Sequence, residues 1–139
     1  MEGNAMDYCD KVSKFHGSGF NCAQVVAAVC SDLSGVDEKT ALTAMGGFGG
    51  GMRCGEVCGA VSGGVYTLGL YCPYSEATDK QAKEKIAELT KSFTAAFKNE
   101  FESLICRDLI AGENAGRCEE YMARASELIH EIVERDKHK

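Results

Sequence analysis

The stretch Gly46–Tyr71, GGFGGGMRCGEVCGAVSGGVYTLGLY, decides how the chain is read. It opens with five glycines among six residues and runs into an apolar segment where Gly55, Gly59 and Gly63 recur every fourth residue. Glycine inside a helix costs roughly 1 kcal/mol against alanine. Repeated acceptance of that cost implies a gain from having no side chain, through close backbone approach or space beside sulfur. Cys54 and Cys58 stand where loop passes into apolar segment. The segment therefore predicts a glycine-rich central helix over about Arg53 to Tyr71, stopped by Cys72-Pro73, which holds the only proline.

Flanking segments predict further helices. Met6, Cys9, Val12 and Phe15 share one face of a helix over Ala5–Phe15, ended by the glycines around Ser18. Asn21 is placed to cap a second helix through Leu33. Asp37 would cap a short third over Glu38–Met45. After Pro73, Ser75 would cap a long helix with Ile86, Leu89, Phe93, Phe97 and Leu104 inward. The last helix is expected over Ala115–Arg135, with Tyr121, Met122, Leu128, Ile129 and Val133 inward. No segment alternates with period two. The expectation is one all-α domain over residues 1–139, a bundle of about five to six helices.

Composition narrows function. The 139 residues can bury a real core, and 45% hydrophobic with 26% charged content is that of a globular chain. A net charge of −6 without a Lys/Arg cluster argues against nucleic acid as partner. The N-terminus lacks the apolar core of a secretory signal, and the most apolar window, Val57–Tyr71, is shorter than the roughly 20 residues of a membrane span. A cytoplasmic protein without a membrane span is expected. The glycine loop fits no G-x-G-x-x-G register, because Met52 stands in the third glycine's place. Nothing resembles a hydrolase triad or a carboxylate pair.

Eight cysteines and no C-x-x-C point to metal or redox chemistry at a site assembled by folding. Short connections make successive helices antiparallel. Counting turns then brings Cys22, Cys54, Cys58, Cys106 and Cys118 to one end of the bundle, with His16 and Glu56. Cys30 and Cys72 fall at the other end, and Cys9 inside the first helix; these three read as small buried hydrophobes. Cys22, Cys54, Cys58 and Cys118 would lie in or near first turns, where helix N-termini lower a thiol's pKa. On a regular helix, Cys54 and Cys58 would have Cβ atoms roughly 5–6 Å apart, too far for a disulfide but within reach of one metal ion. Cys106 and Cys118 flank a turn and could meet through either chemistry. His16 reads as a cation at a helix C-terminus and Glu56 as an acid in a first turn.

Taken together, Gly19-Phe20-Asn21-Cys22-Ala23-Gln24, Gly55-Glu56-Val57-Cys58-Gly59-Ala60-Val61-Ser62-Gly63, Cys106-Arg107-Asp108-Leu109, and Cys118 followed by Tyr121 resemble the C_GCAxxG_C_C family of redox-active proteins. The likeness covers nearly the whole chain. It implies that Cys22, Cys58, Cys106 and Cys118 are the defining cysteines and that Cys54 is an extra. Three functions follow as expectations. The first is thiol/disulfide or electron-transfer chemistry at those four cysteines, making the chain a thiol oxidoreductase served by a redox partner protein or a small thiol. The second is a zinc or iron–sulfur site with the same ligands, Cys54 being a further candidate donor. The third is a non-enzymatic helical interaction protein with structural cysteines. Substrate and oligomeric state stay open.

Overall fold

The computed structural model describes residues 5–139, with side chains from Tyr8 onward. The inward placement expected for Met6 lies outside the described side chains. The chain is all-α. In order it forms α1 (Ala5–Gly17), α2 (Cys22–Val29), α3 (Ser31–Ser34), α4 (Glu38–Ala44), a π-turn (Gly51–Gly55), α5 (Gly59–Tyr71), α6 (Lys80–Phe101), α7 (Cys106–Leu109), a 3-10 turn (Gly112–Asn114) and α8 (Cys118–Lys137). Among the described residues there is no strand, and a single antiparallel bridge pairs Val57 with Ile105.

Helices α2, α5 and α8 carry most of the interior. Helix α2 is built almost wholly of Ala and Val and is buried on every side, with Ala23, Val25, Val26 and Ala27 fully covered. It packs most extensively on α5. Gly63 makes that possible: a Cβ there would stand 2.7 Å from the Ala23 carbonyl oxygen and 3.0 Å from the Val26 Cβ. On the opposite side of α5, a Cβ on Gly64 would fall 2.6 Å from the Phe93 ring of α6. The small-residue faces of α5 thus let α2 approach on one side and α6 and α8 on the other. A column of aromatic rings, Phe93, Phe97, Phe101 and Tyr121, joins α6 to α8, with the Arg117 guanidinium over the last two.

Several boundaries differ from expectation for identifiable reasons. The central helix does not begin at Arg53. Gly50, Gly51, Met52, Arg53 and Gly55 all take positive φ, which no right-handed helix accepts. Glu56 and Val57 then pair with the Leu104–Cys106 segment, so α5 starts only at Gly59. Gly55 accordingly serves the turn rather than a helix face. The second helix is interrupted at Cys30. Helix α6 is capped by Asp79, whose side chain accepts from the Ala82 N–H, rather than by Ser75. It ends at Glu102, a left-handed residue, leaving Cys106 to begin its own short helix. Asn21 caps α2 as expected, with Gln24 completing a capping box.

Candidate functional site: a cysteine-lined cavity

Cys22, Cys58, Cys106 and Cys118 line one cavity of about 210 Å³ at the end of the bundle, with His16, Gly50, Leu109, Ile110, Tyr121 and Met122. Each sulfur arrives on a different element. Cys22 is the first residue of α2, positioned by the Asn21 cap. The Asn21 amide also donates to the Gly46 carbonyl at 3.1 Å, which anchors the glycine loop beside it. Cys58 is the N-cap residue of α5. Cys106 opens α7 and Cys118 opens α8.

The backbone holds these starts together. The Cys58 N–H donates to the Leu104 carbonyl at 2.7 Å, and the Cys106 N–H donates to the Glu56 carbonyl at 2.6 Å. These bonds flank the Val57–Ile105 bridge and tie the approach to α5 to the approach to α7. The buried Tyr121 hydroxyl donates to the Leu109 carbonyl at 2.6 Å and ties α7 to α8. At the rim, the Arg107 and Glu56 side chains meet at 3.1 Å and His16 meets Glu119 at 2.7 Å. The imidazole and the Ser13 hydroxyl hold the Glu119 carboxyl below its usual range.

Electrostatics separates the four thiols. Cys22 is lowered from 9.0 to about 6: the Cys58 thiol lies against its sulfur as a donor, burial opposes, and the N–H groups of Gly50, Gly59 and Ala23 add to the lowering. A helix start supplies such unpaired donors. Cys58 moves upward, because its proton is held by the Cys22 sulfur, it is buried, and the Cys22 charge lies beside it. Cys106 and Cys118 are also raised, by burial first and then by that same charge. The expectation of lowered pKa values at first-turn thiols therefore stands for Cys22 and is corrected for Cys58 and Cys118. One thiolate in a confined space makes every neighbouring ionisation harder.

Gly59 is what brings the Cys22 sulfur close to α5. A Cβ there would collide with the Cys22 sulfur and lie 2.9 Å from the Ala23 nitrogen. The remaining cysteines lie elsewhere. Cys54 is exposed and donates to the Gly51 carbonyl of its own turn at 3.5 Å. Left-handed Gly55 and the extended Glu56–Val57 segment between Cys54 and Cys58 remove the helical spacing on which a shared metal rests. Cys30 and Cys72 are buried, as small hydrophobes are. Cys9 is exposed, against the expectation of an interior place, because α1 turns Tyr8 and Val12 to the core instead. Among the described residues, no three His, Cys, Asp or Glu side chains gather as ligands for one metal ion. The zinc or iron–sulfur reading therefore finds no ready-assembled ligand set among the described residues.

Glu119 as the His16 partner, Gly50 as a backbone donor, and Leu109 and Ile110 as cavity walls are features that the sequence does not announce. Only the acidic first turn of α8 hinted at the first. The Asp32–His130 ion pair, 3.1 Å long, was also invisible, because its members stand 98 residues apart.

A helical protein with four thiols around one cavity is the class that fold and site define. Residues 20–132 match the family described as "Putative redox-active protein (C_GCAxxG_C_C)", and the chain belongs to that family. No curated protein and no solved structure matches the chain. Among the described residues, no helix is long and apolar enough to cross a membrane.

Proposed function

We propose that this protein is a thiol–disulfide oxidoreductase in which Cys22 is the nucleophile and Cys58 the resolving thiol. The observation that carries the reading is geometric: Cys22 and Cys58 line the same cavity, and Gly59, next to Cys58, leaves the room at the α2–α5 contact that the Cys22 sulfur fills; the lowered pKa of Cys22 agrees with it. The thiolate is the attacking species in disulfide exchange, and a pKa near ambient pH favours attack. Cys22 attacks one sulfur of a substrate disulfide, forming a mixed disulfide and expelling the first substrate thiolate, which takes the Cys58 proton. Cys58 then attacks the Cys22 sulfur, closing a Cys22–Cys58 bond and releasing the second substrate thiolate. Two electrons pass to the substrate, and the reverse sequence oxidises a dithiol. The electron partner is a protein or a low-molecular-weight thiol. Eight free thiols suit a reducing compartment such as the cytoplasm.

The test is the pH profile of Cys22 alkylation, read by peptide mass spectrometry, followed by oxidation with glutathione disulfide. A midpoint near pH 6 that moves upward in Cys58→Ala, together with a Cys22–Cys58 disulfide in the oxidised protein, is expected. A Cys22 midpoint near that of a free thiol, with no such bond formed, would defeat the proposal.

A further inference from the structure

We infer that Cys106 and Cys118 are a second dithiol that takes over the disulfide formed at Cys22 and Cys58, so that the cavity works as a two-stage relay. This rests on the thiol–disulfide reading and adds a role for the two sulfurs that reading leaves idle.

Geometry supplies the first argument. All four thiols face one small cavity. The bridge between Val57 and Ile105 puts Cys58 and Cys106 each one residue beyond the paired position. On an extended pair, such residues leave the same face. The Tyr121–Leu109 hydrogen bond closes α7 onto α8, its two partners lying three residues past Cys118 and Cys106 respectively. Exposure is graded too: Cys58 is buried, whereas Cys22, Cys106 and Cys118 are partly open.

Chemistry sets the direction. A dithiol whose reduced form is stabilised by a favoured thiolate makes a strongly oxidising disulfide. Cys22 has that stabilisation, and neither Cys106 nor Cys118 has it. The bond therefore moves from the first pair to the second. Cys106 gives up its proton and attacks the Cys22 sulfur. The Cys22–Cys58 bond breaks, and Cys58 leaves and recovers a proton. Cys118 then loses its proton and attacks the Cys106 sulfur, expelling Cys22 as its stable thiolate. The exchange is internally balanced: one disulfide breaks, one forms, and one proton is released.

Reduced protein is treated anaerobically with one equivalent of diamide, quenched in acid at intervals, alkylated and mapped by mass spectrometry. In the unaltered protein the relay requires early loss of alkylation at Cys22 and Cys58, then its return as Cys106 and Cys118 become disulfide-bonded. In Cys22→Ser, Cys106–Cys118 bond formation should slow roughly tenfold or more, because raised thiols hold little thiolate near neutral pH. Cys22→Ala serves if the serine variant folds poorly. A disulfide that stays on Cys22–Cys58, with Cys106 and Cys118 fully alkylated, overturns the relay while leaving the first pair's chemistry intact. An unchanged Cys106–Cys118 rate in both Cys22 variants also overturns it, since the oxidant then reaches that pair directly. If Cys106→Ser/Cys118→Ser forms no Cys22–Cys58 bond either, the underlying reading fails and the relay with it.

Discussion

Gly59→Ala tests the contact on which the site depends. In most helices this change is favourable, by up to roughly 1 kcal/mol. Here the new methyl would occupy the place of the Cys22 sulfur and stand 2.9 Å from the Ala23 nitrogen. Rotation about one bond moves a thiol aside, but the Ala23 nitrogen belongs to the backbone of α2 and cannot move without shifting that helix. Overpacking of this kind costs about 1–3 kcal/mol. Gly59 is the first residue of α5, where the helical gain is smallest, so the expected net loss is about 1–2 kcal/mol. Displacing the sulfur also separates it from the Gly59 N–H and the Cys58 thiol, two of the groups that hold its pKa down. Cys22 should then titrate closer to a free thiol, near about 8.5.

Urea unfolding of the reduced protein measures the first quantity, and the pH profile of Cys22 alkylation the second. A double-mutant cycle with Cys22→Ala separates sulfur from backbone. With the sulfur removed, Gly59→Ala should cost less, and the difference reports the coupling between the two positions. A variant as stable as the parent, with its Cys22 midpoint still near pH 6, would refute the idea that Gly59 is kept free of a side chain for this sulfur.

Stability should also depend on pH through Cys22. Its folded pKa, about 6, lies below that of the unfolded thiol, so its contribution is fully present above about pH 8.5 and is lost as pH falls through 6. The stability difference between the parent and Cys22→Ser, by urea unfolding, should therefore grow from pH 6 to pH 9. His130 acts in the opposite sense: burial disfavours its charge, but Asp32 and Cys30 outweigh it and raise the imidazole to about 10. That contribution is present below about pH 6.5 and fades as pH rises through 10, so His130→Gln should cost about 1–3 kcal/mol at pH 6 and clearly less at pH 10. Gly64→Ala pushes a methyl against the Phe93 ring and should lower stability by about 1–3 kcal/mol in thermal or urea unfolding. Because it lies away from the cavity, the Cys22 alkylation profile should stay unchanged.

The parts of this structure that were legible in sequence are those governed by local rules. Asn21 followed three residues later by Gln24 is a capping box on paper and in space. The four-residue spacing of Leu89, Phe93 and Phe97 places all three in the core. Turn counting alone brought five cysteines to one end, because antiparallel succession is a property of short loops, and four of them line the cavity there while Cys54 does not. What stayed hidden depends on contacts between segments. Arg53 to Val57 would extend α5 by pattern. Five positive-φ residues in Gly50–Gly55 and the pairing with Leu104–Cys106 prevent it, and no local signal records a partner fifty residues away.

The same limit applies to the thiols, and there it bears on function. A first-turn rule treats Cys22, Cys58 and Cys118 alike, since each begins or caps a helix. Once they share a cavity they cease to be independent. The first sulfur to ionise collects the available donors, and its charge raises the others. Cys22 wins because the Cys58 thiol donates to it, because Gly50 and Gly59, on two other segments, each present an N–H to it, and because Gly59 has no side chain to keep α5 away. The glycines of the Gly46–Tyr71 stretch thus choose among the cysteines as well as packing the helices. Two of them help select which sulfur carries the charge, and in the function proposed above that selection separates an attacking thiolate from its three neighbours.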